Sequence, residues 1–128
     1  MPRVSAAFFA FGVLCVLIGM GWGMHMGASE NFTLAPAHAH LNLVGWATMA
    51  LYGTFYALTE ATLHKRLAWT NFVVSALGVI AMIPALAMFL QTQNPKYVSY
   101  MVLGEVLTVL GMLIFAVSVI RELLRKRA

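Results

Sequence analysis

Apolar side chains fill four long runs of the chain, and short polar stretches separate them. The first run covers about residues 5–24 and carries Phe8, Phe9, Phe11, Val13, Leu14, Val16, Leu17 and Ile18 without a charge. A secretory signal has a shorter apolar part, of about 7–15 residues, so this run predicts a retained helix. Residues 25–37 read as a loop with glycine, polar side chains and one acid, Glu30. Pro36 suits the first turn of the next helix, where its missing N–H costs little. The second, third and fourth runs cover about residues 37–58, 67–90 and 98–120. Pro84 lies inside the third and predicts a bend, with a neighbouring helix helping to satisfy the freed carbonyl. Each run is long enough to cross about 30 Å of hydrocarbon at about 1.5 Å per residue. The connections around His64-Lys65-Arg66 and residues 91–97 are short, so successive helices should be antiparallel neighbours. The expected fold is all-α: one transmembrane domain over residues 1–128, built as an integral-membrane four-helix bundle.

Composition sharpens this reading. Of 128 residues, 62% are hydrophobic and 9% charged, whereas a soluble domain carries about 25% charged residues. The mean hydropathy is +0.86. There is too little polar surface to coat a water-soluble globule. The net charge of +4 does not point to nucleic acid, because Arg121, Arg125, Lys126 and Arg127 crowd the last eight positions beside an apolar run. Such a cluster flanks a membrane. Arg3, Lys65 and Arg66 fall on the same side of the expected bundle, and Lys96 alone falls on the other. The asymmetry predicts that both termini face the cytoplasm, in a bacterial inner membrane. Trp22, Tyr97 and Tyr100 near the outer face, and Trp69 near the inner one, fit an interfacial aromatic belt. Cys15 is the single cysteine, so no internal disulfide forms.

Candidate chemistry then centres on one stretch, Pro36-Ala37-His38-Ala39-His40-Leu41-Asn42-Leu43-Val44-Gly45-Trp46. On a helix, positions i and i+2 diverge by about 200°. His38 and His40 should therefore leave opposite sides of one rod, just inside the outer boundary. They cannot easily chelate one small ion. Ionisable groups inside a membrane usually face protein and often mark function, although interfacial imidazoles bonded to loop carbonyls remain an alternative. A flat macrocycle needs an axial nitrogen and a smooth apolar wall. Gly45 lies seven residues below His38 and Ala47 seven below His40, and with Gly53 they leave room for such a ring. Tight helix packing is the other use of these small residues. Met24, His25 and Met26 offer thioethers and an imidazole, soft ligands that suit copper(I). Glu105, about two turns into the fourth run with no basic residue in that run, reads as a buried carboxyl that should be protonated or hydrogen-bonded. It is a candidate proton relay or hydrogen-bond partner.

The run Ala37-His38-Ala39-His40-Leu41-Asn42-Leu43, followed by an apolar helix ending Gly53-Thr54-Phe55-Tyr56, resembles the catalytic subunit of the haem–copper oxidase superfamily. The likeness is to its nitric-oxide-reductase and cbb3-type branches. There, a His-x-Asn-Leu pattern supplies a ligand of the low-spin haem b, and His40-Leu41-Asn42-Leu43 is similar to it. A different helix of the family carries His-x-His, one histidine for each of two haems, a spacing that His38-Ala39-His40 shares. Family members have about twelve helices in three arcs of four, whereas this chain has one arc and lacks the helix that supplies the copper ligands. What the resemblance implies is a haem b with His38 and His40 as candidate iron ligands, and three copies assembled as a homotrimer. Lys96 and Tyr97 are candidate contacts to the haem propionates, His25 a candidate helix cap, haem ligand or propionate contact, and Asn42 a candidate hydrogen-bond relay beside Glu105.

Three functions follow as expectations. The first is a trimeric haem b protein that transfers electrons from a quinol or cytochrome donor, or binds a diatomic gas. The second is a copper-handling membrane protein using Met24, His25 and Met26. The third is an accessory or assembly subunit of a respiratory complex. No nucleophile–base pair, phosphate loop or paired carboxylates stand in the sequence, which argues against hydrolase or kinase chemistry. Whether the chain is a redox enzyme stays open at this point.

Overall fold

The computed structural model describes residues 1–127, and all regular structure among them is helical. Helix α1 spans Arg3–Ser29. A second rod is built from α2 (Ala35–His40), a π-helical stretch (Leu41–Thr48) and α3 (Met49–Leu58). The chain keeps right-handed helical dihedrals at both junctions, so the three pieces form one continuous rod. A short 3₁₀ turn (Glu60–Thr62) leads to α4 (Lys65–Thr92). A second one (Pro95–Tyr97) leads to α5 (Val98–Leu123). Helices α1, α4 and the α5 segment are long and apolar enough to cross a membrane. All four expected rods are present, each longer than its apolar run. The largest extension is at α1, which absorbs His25 to Ser29 from the expected loop.

Local sequence explains the ends. Pro36 sits in the first turn of α2. Asn94 accepts a hydrogen bond from the Lys96 N–H and starts the second 3₁₀ turn. His64 caps α4 by accepting the Leu67 N–H on Nδ1. Both α1 and α4 close on a left-handed residue, Glu30 and Gln93, each with φ 55°. Helix α4 runs through Pro84 without interruption.

Two seams of small residues hold the rods together. Along the first, α1 runs antiparallel to the second rod. A Cβ on Gly12 would lie 3.0 Å from the Trp46 ring, one on Gly45 would lie 2.9 Å from the Cys15 sulfur, and one on Gly53 would lie 3.0 Å from Phe8 Cβ. Along the second, α4 meets α5 at Gly78 against Thr108, Gly104 against Met82 and Gly111 against Ser75. Lipid tails are as apolar as leucine, so close backbone approach rather than exclusion of water drives such contacts. Gly45 and Gly53 thus serve helix packing, and neither forms a wall for a flat ring.

The core is uneven along the rods. One cluster, around Phe8, Met49, Tyr52 and Tyr56, gathers with Phe72 and Phe115. Its rings pack at 5.2 Å (Phe8–Phe72), 5.7 Å (Phe8–Tyr56) and 4.5 Å (Tyr52–Phe115). The other cluster, Cys15, Leu41, Val79, Met82 and Ile83, lies toward the two histidines. The first cluster marks the basic end, which carries Arg3, Lys65, Arg66, Arg121 and Arg125; the second marks the histidine end.

Candidate functional site

Four turns of the second rod decide where the histidines point. His38 turns toward α1, where a Cβ on Gly23 would lie 3.1 Å from its Cε1. One turn on, Asn42 fills the space over Gly19 in the same way. The two side chains approach each other, Asn42 Nδ2 to His38 Nε2, at 3.5 Å. This is a long contact, and it leaves His38 Nδ1 and Asn42 Oδ1 buried without hydrogen-bond partners. Unpaired polar atoms of this kind are costly in an apolar medium.

His40 faces the other way. Its side chain is exposed, and its Nδ1 lies 2.7 Å from the Pro36 carbonyl oxygen. A carbonyl only accepts, so Nδ1 carries the proton. In the neutral ring the Nε2 lone pair is then free and points outward. His40 heads a stripe of exposed or half-buried side chains, Leu43, Ala47, Leu51 and Thr54, down the outer face of the rod. Immediately after His40 the rod becomes π-helical. The Thr48 hydroxyl donates to the Leu43 carbonyl five residues back, at 2.8 Å. π-turns are frequent at functional sites.

The remaining candidates are spread over the histidine end. Met24 and His25 are exposed and Met26 is buried. Successive helix positions diverge by about 100°, yet His25 and Met26 both line a cavity of about 270 Å³, together with Asn31, Thr33, Leu34 and Gln91, while Met24 does not. Lys96 Nζ stands 5.0 Å over the Tyr97 ring at the start of α5. Glu105 is exposed on α5, about 10 Å along from Val98, and forms no ion pair among the described residues. No three His, Cys, Asp or Glu side chains among the described residues gather at one point.

A polar network that no sequence motif marks lies at the opposite end. Asn71 is fully buried and donates through Nδ2 to the Tyr56 hydroxyl at 3.0 Å. Ser75 donates to Asn71 Oδ1 at 2.9 Å, and Tyr56 shares a hydrogen bond with Ser118 at 3.1 Å. The chain of groups ties α3, α4 and α5. Its only trace in sequence is Asn71 and Ser75, four residues apart in an apolar helix.

The described residues form an all-helical protein whose α1, α4 and α5 segments are long and apolar enough to cross a membrane, and in the histidine stretch His38 is turned inward and His40 is exposed. No family model, curated protein or solved structure matches the chain.

Proposed function

We propose that the protein is a membrane haem b protein that holds its haem through His40, and that a second copy of the chain supplies the far wall of the haem site. The observation that carries this reading is the His40 ring itself. Its Nδ1–H is anchored on the Pro36 carbonyl and its Nε2 is free. Histidines that bind a metal almost always donate their other ring N–H to a carbonyl, carboxylate or water, which fixes the tautomer and the ring orientation.

The residues nearby fit the same group. Ala39 and Leu43 flank His40 on an apolar outer face. The unpartnered atoms of His38 and Asn42 lie on the opposite side of the rod, against α1, and suit a buried water. Lys96 stands at the same end as a cation for a propionate. His38 is turned into its own protomer, so His40 is the ligand that a macrocycle reaches first. An exposed imidazole covers one side of such a ring only. A closed ring of copies would cover the other, and the proposal takes three, which would also restore three arcs of four helices. The protein would lie in a bacterial inner membrane with both termini inside. When bound, a haem supplies one-electron transfer or, with an open axial position, binding of a diatomic gas.

The test is a visible spectrum of the purified full chain, oxidised and reduced. A Soret band is expected, together with loss of haem to background in His40→Ala and full retention in His64→Ala. His40 is exposed, so its removal leaves the packing intact, and circular dichroism checks this. Haem-free protein after expression with ample haem, or full haem in His40→Ala, would overturn the reading.

A further inference from the structure

At the basic end a cleft of about 390 Å³ opens between the end of α3, the turn into α4 and the end of α5. It lies at the other end of the rods from His38 and His40 and serves no part of the proposed haem site. We infer that this cleft binds one anionic phospholipid, its phosphate on Arg121 and His64 and its acyl chain on the apolar wall.

The cleft is held open from both sides. Toward the core, Phe55 packs on Phe115 at 5.1 Å and Tyr56 is hydrogen-bonded to Ser118 at 3.1 Å. Toward the end of the rods, the Thr62 hydroxyl donates to Glu122 Oε2 at 2.7 Å. These bridges tie α3 and the turn into α4 to α5 on either side of the cleft. Clefts of about 300–1,000 Å³ are the usual size for a small-molecule site.

Its chemistry is amphiphilic. Phe55, Leu63, Leu67 and Leu124 give an apolar wall, which continues into the exposed Leu58 and Leu123. At the rim, Arg125 spends Nε and Nη2 on Glu122 Oε1, at 3.1 and 2.8 Å. That pair neutralises the one acid of the cleft. Arg121 has no ion pair among the described residues and stays free. His64 uses Nδ1 to cap α4, so the ring proton sits on Nε2 as a second free donor. A net positive rim above an apolar wall, at the end of membrane-spanning helices, matches a phospholipid of negative charge. It does not match a zwitterionic one, whose ammonium group the same rim repels. Basic groups at a bilayer surface attract anionic lipid.

Native mass spectrometry of the detergent-solubilised full chain, with phosphatidylglycerol or phosphatidylcholine of equal acyl chains, tests this. One tightly held phosphatidylglycerol per chain is expected, at about fivefold or greater preference over phosphatidylcholine. Arg121→Gln combined with His64→Gln should abolish that preference. Lys65→Gln combined with Arg66→Gln, which removes two cations of the same end that do not line the cleft, should leave it unchanged. Equal loss in both double variants would reveal only general attraction to the basic end and overturn the site. So would displacement of the lipid by glycerol phosphate, which has no acyl chain. Far-ultraviolet circular dichroism of each variant confirms its helix content. The haem spectrum should not change in either, so failure here and failure of the His40 reading are separate results.

Discussion

Tyr56 and Asn71 show how much one hydroxyl can matter inside lipid. Tyr56 accepts from Asn71 Nδ2 and also bonds Ser118, so a single oxygen joins three helices. Removing it leaves the fully buried Asn71 amide without its acceptor. Tyr56→Phe should lower stability by about 1–2 kcal/mol, the cost of an unsatisfied buried donor. Asn71→Leu in the same chain should cost less than the two changes added, because the orphan disappears with its partner. The coupling, read by a double-mutant cycle of unfolding in detergent, should fall near about 0.6–1.7 kcal/mol, as for other hydrogen bonds between membrane helices. Additive losses would show that the network does not act as a unit. His38 and His40 make the complementary point. Two residues of the same type, separated by one alanine, have opposite surroundings, because one faces α1 at Gly23 and the other faces out. Only the second has a nitrogen with nothing packed against it.

Among the elements, α5 depends most on a single seam. Only Gly104 and Gly111 are buried along its length, and both touch α4. A Cβ on Gly104 would come within 2.5–2.7 Å of the Met82 backbone nitrogen, Cα and Cβ. Backbone cannot rotate aside, so Gly104→Ala should force the helices apart and cost about 1–3 kcal/mol, as overpacking does. Gly21, with nothing within 4 Å of its own Cβ position, is the control. Gly21→Ala should gain up to about 1 kcal/mol of helix propensity. Equal effects in the two variants, measured by unfolding in detergent, would exclude the seam as the cause. The seam also marks where sequence stops being informative. The four rods were legible because length and unbroken hydropathy suffice to specify a membrane helix. The divergence of His38 and His40 was legible because it is a property of helical geometry alone. What each glycine meets is a matter of tertiary register, so Gly45 and Gly53 read equally well as packing or as room for a ring. The π-helical stretch had no pattern to announce it; within it Trp46 lies over Gly12 and the Thr48 hydroxyl bonds the Leu43 carbonyl. The length of α1 beyond residue 24 was hidden for a simpler reason. A helix need not end where its apolar run ends, and His25 to Ser29 continue it with polar and small side chains.

At the scale of the whole molecule, the basic cluster and the His38/His40 stretch lie at opposite ends. Arg3, Lys65, Arg66, Arg121, Arg125, Lys126 and Arg127 belong to one end, whereas Lys96 shares the other with His25, His38 and His40. Positive residues in short segments flanking a span are retained on the cytoplasmic side. That rule would place His40 in the outer leaflet and the phospholipid cleft in the inner one. Cys15 is the only thiol and is buried against Gly45, so Cys15→Ala gives a silent background for single labels. Asn31→Cys reports on the loop between α1 and α2, and Lys126→Cys on the segment after α5. In spheroplasts, a membrane-impermeant maleimide should label the first variant without lysis and the second only after it. Reversed labelling would move His40 to the cytoplasmic leaflet. The haem proposal would survive that result, because it rests on the ring and not on the side it faces. A cytochrome donor on the outer side of the membrane would not survive it, since it could not then approach the His40 end of the rods, whereas a quinol within the membrane still could.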